Sequence, residues 1–363
     1  MSLAPAADVA SPDAALAAAT RRQAWLRGLA PLLALLLAFA IGALFIAAIG
    51  ENPLEIYGLM LQGTLGSGYG IGMTLFKATP LVFTGLAVAL GFRAGLFNIG
   101  VEGQLYLGAF AAAMTGTWLA HLPAPVLVPL CVLAAALAGG AWAAIPGALK
   151  ARFGAHEVIN TIMLNFIAFA IVSFCGRWVF QTATVRTAEI GPGAQLARLS
   201  DFAPALRGSP ANLSLLIALV VAALTGVLLF RTRLGYELRA VGLNAPAAEY
   251  GGVRLGRAQL VAMVLSGAIA GLGGTNFVLG YKHFFELGFS GGVGFLGIAV
   301  ALVGRNQPLG VVLAALVFGV LSHGGLAINQ RVPKEFVEIL EAIVILLAIG
   351  LQQVVERVAR RLA

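Results

Sequence analysis

Gly91-Phe-Arg-Ala-Gly-Leu-Phe-Asn-Ile-Gly-Val-Glu-Gly-Gln104 packs four glycines, an arginine, an asparagine, a glutamate and a glutamine into fourteen positions of an otherwise oily chain. Apolar runs close on it from both sides, Leu81 to Leu90 before and Leu105 to Ala113 after, so its polar groups sit at or within a membrane boundary. Backbone that departs from a helix at that depth is tolerated only where protein buries it or where it lines a wet cavity. Polar side chains held there carry a desolvation penalty and point to a pathway. From the residues alone two readings stay open: a tight cytoplasmic turn between two spans, or the wall of a polar route across the bilayer.

The rest of the composition agrees with a membrane setting. Of 363 residues, 60% are hydrophobic and 10% charged, too little charge for a soluble domain to cover that much apolar surface. The formal charge of +8 does not indicate nucleic acid, because the basic residues are dispersed between apolar runs rather than gathered on one face. Cys131 and Cys175 both lie inside apolar runs and read as packing residues rather than a disulfide or metal pair.

Ten apolar stretches follow in order, and the expected fold is an all-α polytopic membrane protein of about ten transmembrane helices. The first, Pro31 to Ile49, exceeds the apolar core of a signal peptide, about 7–15 residues, and reads as a retained span. Glu51 to Ser67 is mixed and is expected along the outer surface. The remaining spans are Thr74–Leu90, Leu105–Leu119, Val126–Leu149, Ile159–Phe180, Leu215–Phe230, Leu260–Leu279, Val293–Val303, Leu309–Leu321 and Phe336–Leu351. They define a membrane domain over 29–355 between cytoplasmic tails 1–28 and 356–363, with a cytoplasmic loop 231–257 and an external loop 181–212. With the N-terminus inside, fifteen of the 23 Lys and Arg fall on internal segments, as the positive-inside rule requires. Leu90-Gly-Phe-Arg-Ala-Gly95 recurs as Leu287-Gly-Phe-Ser-Gly-Gly292, on opposite sides of the membrane, which is the relation expected of an inverted repeat of spans 2–5 and 7–10.

Two further segments carry function. Glu157, Thr161 and Asn165 recur every four residues and share a helix face, with Asn160 beside them; such a stripe either bridges helices or meets substrate. In the loop 231–257, Asn244 caps a short helix through Pro246, Ala247, Ala248 and Glu249 that Gly251 or Gly252 ends. A capped helix of small side chains either seats in a groove of another protein or is an amphipathic linker.

Phe97-Asn-Ile-Gly-Val-Glu-Gly-Gln104 resembles the signature of the permease subunits of bacterial ATP-binding-cassette importers for sugars, nucleosides and branched-chain amino acids, nucleoside-type branch. Gly242-x-Asn244-x-x-Ala247-Ala248-x-x-x-Gly252 resembles that family's ATPase-docking loop. Glu157 to Asn165 and Gly304-Arg-Asn-Gln-Pro-Leu-Gly310 also look like family segments. The resemblance covers roughly residues 70–350. It implies an inner-membrane permease for a nucleoside or related small polar solute, paired with a second and often non-identical permease. It also implies a cytoplasmic ATPase that binds the ATP and an external binding protein or lipoprotein, with no cofactor and no catalysis in this chain. On that reading Phe97, Asn98, Glu102, Gln104, Asn160, Thr161 and Asn165 are the pathway candidates. Gly242, Asn244, Ala247, Ala248 and Gly252 are the coupling candidates.

The residues add one independent point. None of the four lysines follows a glycine, so the chain lacks a phosphate-binding P-loop and its energy comes from a partner or an ion gradient. An ion-coupled secondary transporter, with Glu102 or Glu341 as the titrating carboxylate, is the alternative. Gly288-Phe-Ser-Gly291 with His323 would be the kernel of an intramembrane protease. His283 and Glu286 have no third metal ligand nearby and fit an external polar loop.

Overall fold

A computed structural model describes residues 33–333 and 335–361. The tail 1–28, the first two residues of the run from Pro31, Lys334 and the last two residues of the C-terminal tail lie outside the described residues. By contact the chain divides into two units, one holding residues 1–53 and 338–363 and the other Leu54–Val337. In the first, α1 (Leu33–Ala48) buries Ala34, Ala38 and Ile46, and α14 (Glu335–Arg361) buries Leu340, Val344 and Ala348 at four-residue spacing. Helix α14 runs on to Arg361, through most of the stretch expected as a tail.

The second unit is built of helices and irregular connections. It begins with α2 (Pro53–Leu65), where a mixed surface stretch was expected. Proline occupies its first helical position, where its missing N–H has no partner to lose. Ile56, Met60 and Thr64, four residues apart, bury one face. The sequence reading overlooked that stripe because leucines at Leu54, Leu61 and Leu65 on the exposed face blur the contrast between the two sides.

Helix α3 (Gly68–Arg93) starts where the Ser67 hydroxyl accepts the Gly70 N–H at 3.0 Å. It is the enclosed centre of the unit. Gly319 of α13 (Pro308–Ile328) lies so close that a Cβ there would meet the Thr74 carbonyl oxygen at 2.8 Å. On α3 itself, a Cβ at Gly85 would meet Val300 of α12 (Val293–Val303) at 2.8 Å. Helices α4 (Val101–Trp118), α5 (Ala124–Phe153) and α10 (Leu255–Leu272) meet through Gly108, Gly139 and Gly271, with a Cβ on Gly139 only 2.9 Å from the Gly271 Cα. Small residues at crossings let apolar helices approach to backbone contact, the packing mode available where no hydrophobic effect operates between helices.

Helices α6 (Glu157–Val179) and α7 (Ser214–Arg231) lie at the periphery. The loop 231–257 is helical for most of its length, as α8 (Arg233–Leu243) and the expected α9 (Ala245–Tyr250). Beyond α10 the chain passes through α11 (Thr275–Phe277) and a π turn, Val278–Lys282. Among the described residues six helical segments are long and apolar enough to cross a membrane: α3, α5, α6, α7, Leu255–Lys282 and α13. Helix α12 matches the expected Val293–Val303, but its 11 residues are short of the roughly 20 a crossing needs.

The segment 181–212, expected as an external loop, is pinned to the rest by backbone. Thr187 N–H donates to Phe285 O at 2.9 Å, Ile190 N–H to His283 O at 2.8 Å and Leu196 N–H to Leu279 O at 2.9 Å.

Candidate functional site: a buried polar turn between broken helices

Helix α3 ends because Gly95 takes a left-handed φ of +71°, a conformation favourable for glycine and strained for other residues. The chain then runs without helix to Gly100, where α4 begins. In that gap Asn98, wholly buried, forms a reciprocal amide pair with Gln104: Nδ2 donates to Gln104 Oε1 at 2.8 Å, and Gln104 Nε2 donates back to Oδ1 at 3.0 Å. The second Asn98 N–H donates to Ser266 Oγ at 2.9 Å, and Oδ1 also accepts the Gly100 N–H at 3.0 Å. All four hydrogen-bonding positions of the amide are thereby filled. Ser266 passes the link on, donating to the Ala87 carbonyl at 2.7 Å.

From α6, Asn165 braces the same turn. Its Nδ2 donates to Ile99 O at 3.0 Å and its Oδ1 accepts the Gly103 N–H at 2.9 Å. Thr161 Oγ1 accepts the Ile99 N–H at 3.2 Å and donates to Val158 O at 3.2 Å. Glu157, the first member of that stripe, instead pairs with Lys150 at 2.9 Å. Asn160 is half-buried, and its Nδ2 has no hydrogen-bond partner among the described residues. Phe97, also half-buried, stacks on Phe92 with centroids 4.9 Å apart.

Glu102, only 2% exposed, reaches into the other half of the chain. One carboxylate oxygen accepts the Ser290 hydroxyl at 2.5 Å and the other the Gly294 N–H at 2.5 Å. Gly294 is the second residue of α12, so a full negative charge meets the partial positive charge and unpaired N–H groups of a helix start. The arrangement explains how a carboxylate is kept deep in the unit by backbone dipoles. It also commits the Ser290 hydroxyl proton to Glu102, while the His323 ring packs edge-on against Tyr69.

One turn along α4 from Glu102, Tyr106 accepts the Gly288 N–H at 3.0 Å and stacks on Phe289 at 5.5 Å. Phe277 and Phe285 pack edge-on against Phe289. Sequence reading missed this aromatic cluster by assigning His283 and Glu286 to an external polar loop, although Phe284, Phe285 and Phe289 were there to signal burial. Within it Lys282 pairs with Glu286.

Of the coupling candidates, Gly242 lies at the Arg93 end of α3, and the others belong to α9 and its two ends. Asn244 Oδ1 accepts the Ala247 N–H at 3.1 Å, as its expected cap, and Gly252 takes φ +88° beyond the helix end. Ala247 is exposed, whereas Ala248 is buried in its own chain. Leu243 (89%) and Tyr250 (97%) present large exposed side chains at the two ends of α9. Gly242, at the end of α8, packs directly on the turn before the polar site: its Cβ would stand 2.8 Å from Gly95 N. Arg93 ties the same turn to Gly304–Gly310, its Nε donating to Asn306 O at 2.9 Å, where Arg305 and Asn306 hold left-handed φ of +56° and +52°.

Broken helices that meet at a buried polar turn inside an apolar helical bundle are the architecture of a membrane transport protein. The chain belongs to the family described as the permease component of the branched-chain amino acid transport system, whose pattern it matches over residues 70–349, and is a permease subunit of ABC-transporter type. It is 42% identical over 326 residues to the guanosine ABC transporter permease protein NupP of Bacillus subtilis, covering 88% of this chain and 92% of that one. It is 39% identical over 338 residues to the glucose ABC transporter permease protein TsgB13 of Haloferax volcanii (90% and 88%). The nucleoside ABC transporter permease protein NupB of Lactococcus lactis is 36% identical over 325 residues (87% and 89%). Bacillus subtilis and Lactococcus lactis each hold a second, more distant match of the same kind, at 28% and 26% identity. No solved structure matches the chain.

Proposed function

We propose that the chain forms half of the translocation pathway of an ATP-binding-cassette importer for nucleosides. The observation that carries the solute class is the identity of 42% and 36% to permeases named for guanosine and nucleosides, each across about nine-tenths of both chains. The broken segment Phe97–Gln104 borders the pathway. Asn98, Glu102, Gln104, Thr161 and Asn165 fix its shape through the bonds described above. Phe97 keeps a half-open aromatic face for a solute, and the enclosed Asn160 Nδ2, without a partner among the described residues, is the amide N–H that a local opening would offer. A purine stacks on such a face, and ribose hydroxyls accept from such an amide. Binding there is weak, because a solute held tightly would not leave.

The chain crosses ten times with both ends in the cytoplasm, the short α12 borrowing its flanking glycines. Charge distribution supports this orientation, and so does the likeness of the two broken segments. Gly95 and Gly292, equivalent in the repeated six-residue sequence, both take left-handed φ, +71° and +84°, and each leads towards a helix, α4 and α12. An ATPase docks on α9 and its neighbours, with Leu243, Ala247 and Tyr250 as the exposed contacts. Gly242 hands its motion to the turn at Gly95. A second, non-identical permease completes the pathway, a reading supported by the paired relatives in two organisms. The external donor is a binding protein or lipoprotein, and the ATP belongs to the ATPase.

Uptake in cells deleted for this chain tests the solute. Labelled guanosine uptake should fall and return with the gene, and excess unlabelled nucleosides should compete where glucose does not. Competition by glucose alone would assign the chain to sugars.

A further inference from the structure

Helices α7 and α13 touch where a Cβ on Gly226 would lie 3.8 Å from the Pro308 ring, and they leave a groove of about 540 Å³ between them. Its floor is made of small residues, Ala222 and Gly226, and its walls of Leu219, Phe230, Leu309 and Val312. At one end stand the only lining groups with charge or a side-chain amide, Arg231 and Gln307. The Arg231 guanidinium is exposed and makes no hydrogen bond or ion pair with the described residues. Two more guanidinium groups converge on the same corner: Arg93 and Arg239 lie 5.6 and 5.3 Å from the centroid of the Phe230 ring.

From Leu219 to Arg231 the groove follows α7 for about 18 Å at 1.5 Å per residue, a little more than half of the roughly 30 Å hydrocarbon core. An apolar channel one leaflet deep that ends in arginines matches one kind of molecule in its surroundings. We propose that the groove holds an acyl chain of an anionic phospholipid of the inner leaflet, with the lipid phosphate at Arg231 and Gln307. Guanidinium groups suit phosphate oxygens geometrically, and basic pockets between spans on the cytoplasmic side are where anionic headgroups are held. This goes beyond the transport reading and takes from it only the orientation that turns the Arg231 end inward.

The full chain, purified in detergent, should be titrated with phosphatidylglycerol and with phosphatidylcholine and followed by native mass spectrometry. One phosphatidylglycerol per chain should persist at collision energies that strip phosphatidylcholine. Arg231→Gln should weaken its retention about fivefold, the factor equivalent to about 1 kcal/mol for one arginine at a membrane surface. Gly226→Leu, which fills the floor, should remove the lipid while leaving the thermal transition in place. Equal retention of the two lipids would overturn the proposal, as would phosphatidylglycerol binding unchanged by Gly226→Leu. So would a disulfide formed on oxidation with copper and oxygen between Gly226→Cys and a cysteine introduced into a second permease in membranes, because the groove would then be a subunit interface. None of these readouts requires transport, so their failure is distinct from failure of the importer reading.

Discussion

Asn98 is the residue on which the polar turn depends most. Replacing it with Ala strands the Gln104 amide and the Gly100 N–H in a wholly buried place and leaves the Ser266 hydroxyl only its bond to the Ala87 carbonyl, and each orphaned group costs about 1–3 kcal/mol. Asn98→Ala should therefore lower the thermal transition of the purified chain and reduce uptake of every solute in proportion. Phe97→Ala removes a half-exposed ring without orphaning a polar group. It should leave the transition within a few degrees and change the order in which solutes compete. An unchanged order together with a stability loss would place Phe97 among the bracing residues. Glu102→Gln keeps the side-chain shape but removes the charge at the start of α12 and one of its two acceptors; a favourable partly buried charge at a helix terminus contributes up to about 2 kcal/mol. The variant should be less stable than the parent, and Ser290→Ala less damaging than Glu102→Gln, both read by thermal unfolding in detergent.

At the scale of elements, α9 separates what its sequence disclosed from what it hid. The Asn244 cap and the small residues after it were readable, because capping depends on neighbours three residues apart. Which alanine faces a partner was not readable, since that depends on how α9 lies against the rest of its own chain, and Ala248 turned out to be the inward one. Enlarging Ala248 to Trp should then cost about 1–3 kcal/mol of the permease's own stability. Ala247→Trp should leave stability intact and lower uptake relative to ATP hydrolysis in the assembled transporter. Equal coupling in the Ala247 variant and the parent would mean that the ATPase does not seat there. Gly242→Ala thrusts a methyl group against the Arg93–Gly95 backbone. Its expected effect is also on coupling, through displacement of the turn that carries Asn98. In α6 the four-residue stripe was likewise visible, but its division into Glu157 bonded to Lys150 and Thr161 and Asn165 bonded to the turn required the three-dimensional approach of α4, which Gly103 permits.

For the whole molecule, the membrane class, the family and the position of the polar turn were legible because they rest on composition and on contiguous residues. The partner of Glu102 was not, because Ser290 and Gly294 lie 188 and 192 residues away and nothing local announces a carboxylate that caps a distant helix. The same distance explains why Glu102 invited an ion-coupled reading: in sequence it is a solitary acid in an apolar run, whereas in the fold it accepts from the Ser290 hydroxyl and from the Gly294 N–H at the start of α12. That engagement and the ABC permease relatives agree with the proposed importer, in which a partner ATPase supplies the energy. The most direct measurement is guanosine accumulation by the complete transporter reconstituted in sealed liposomes, with its external binding protein supplied. Uptake should require ATP on the α9 side, persist when a protonophore and a sodium ionophore collapse ion gradients, and disappear when the ATPase is omitted. Uptake that survives without ATP and is abolished by the ionophores would contradict the account.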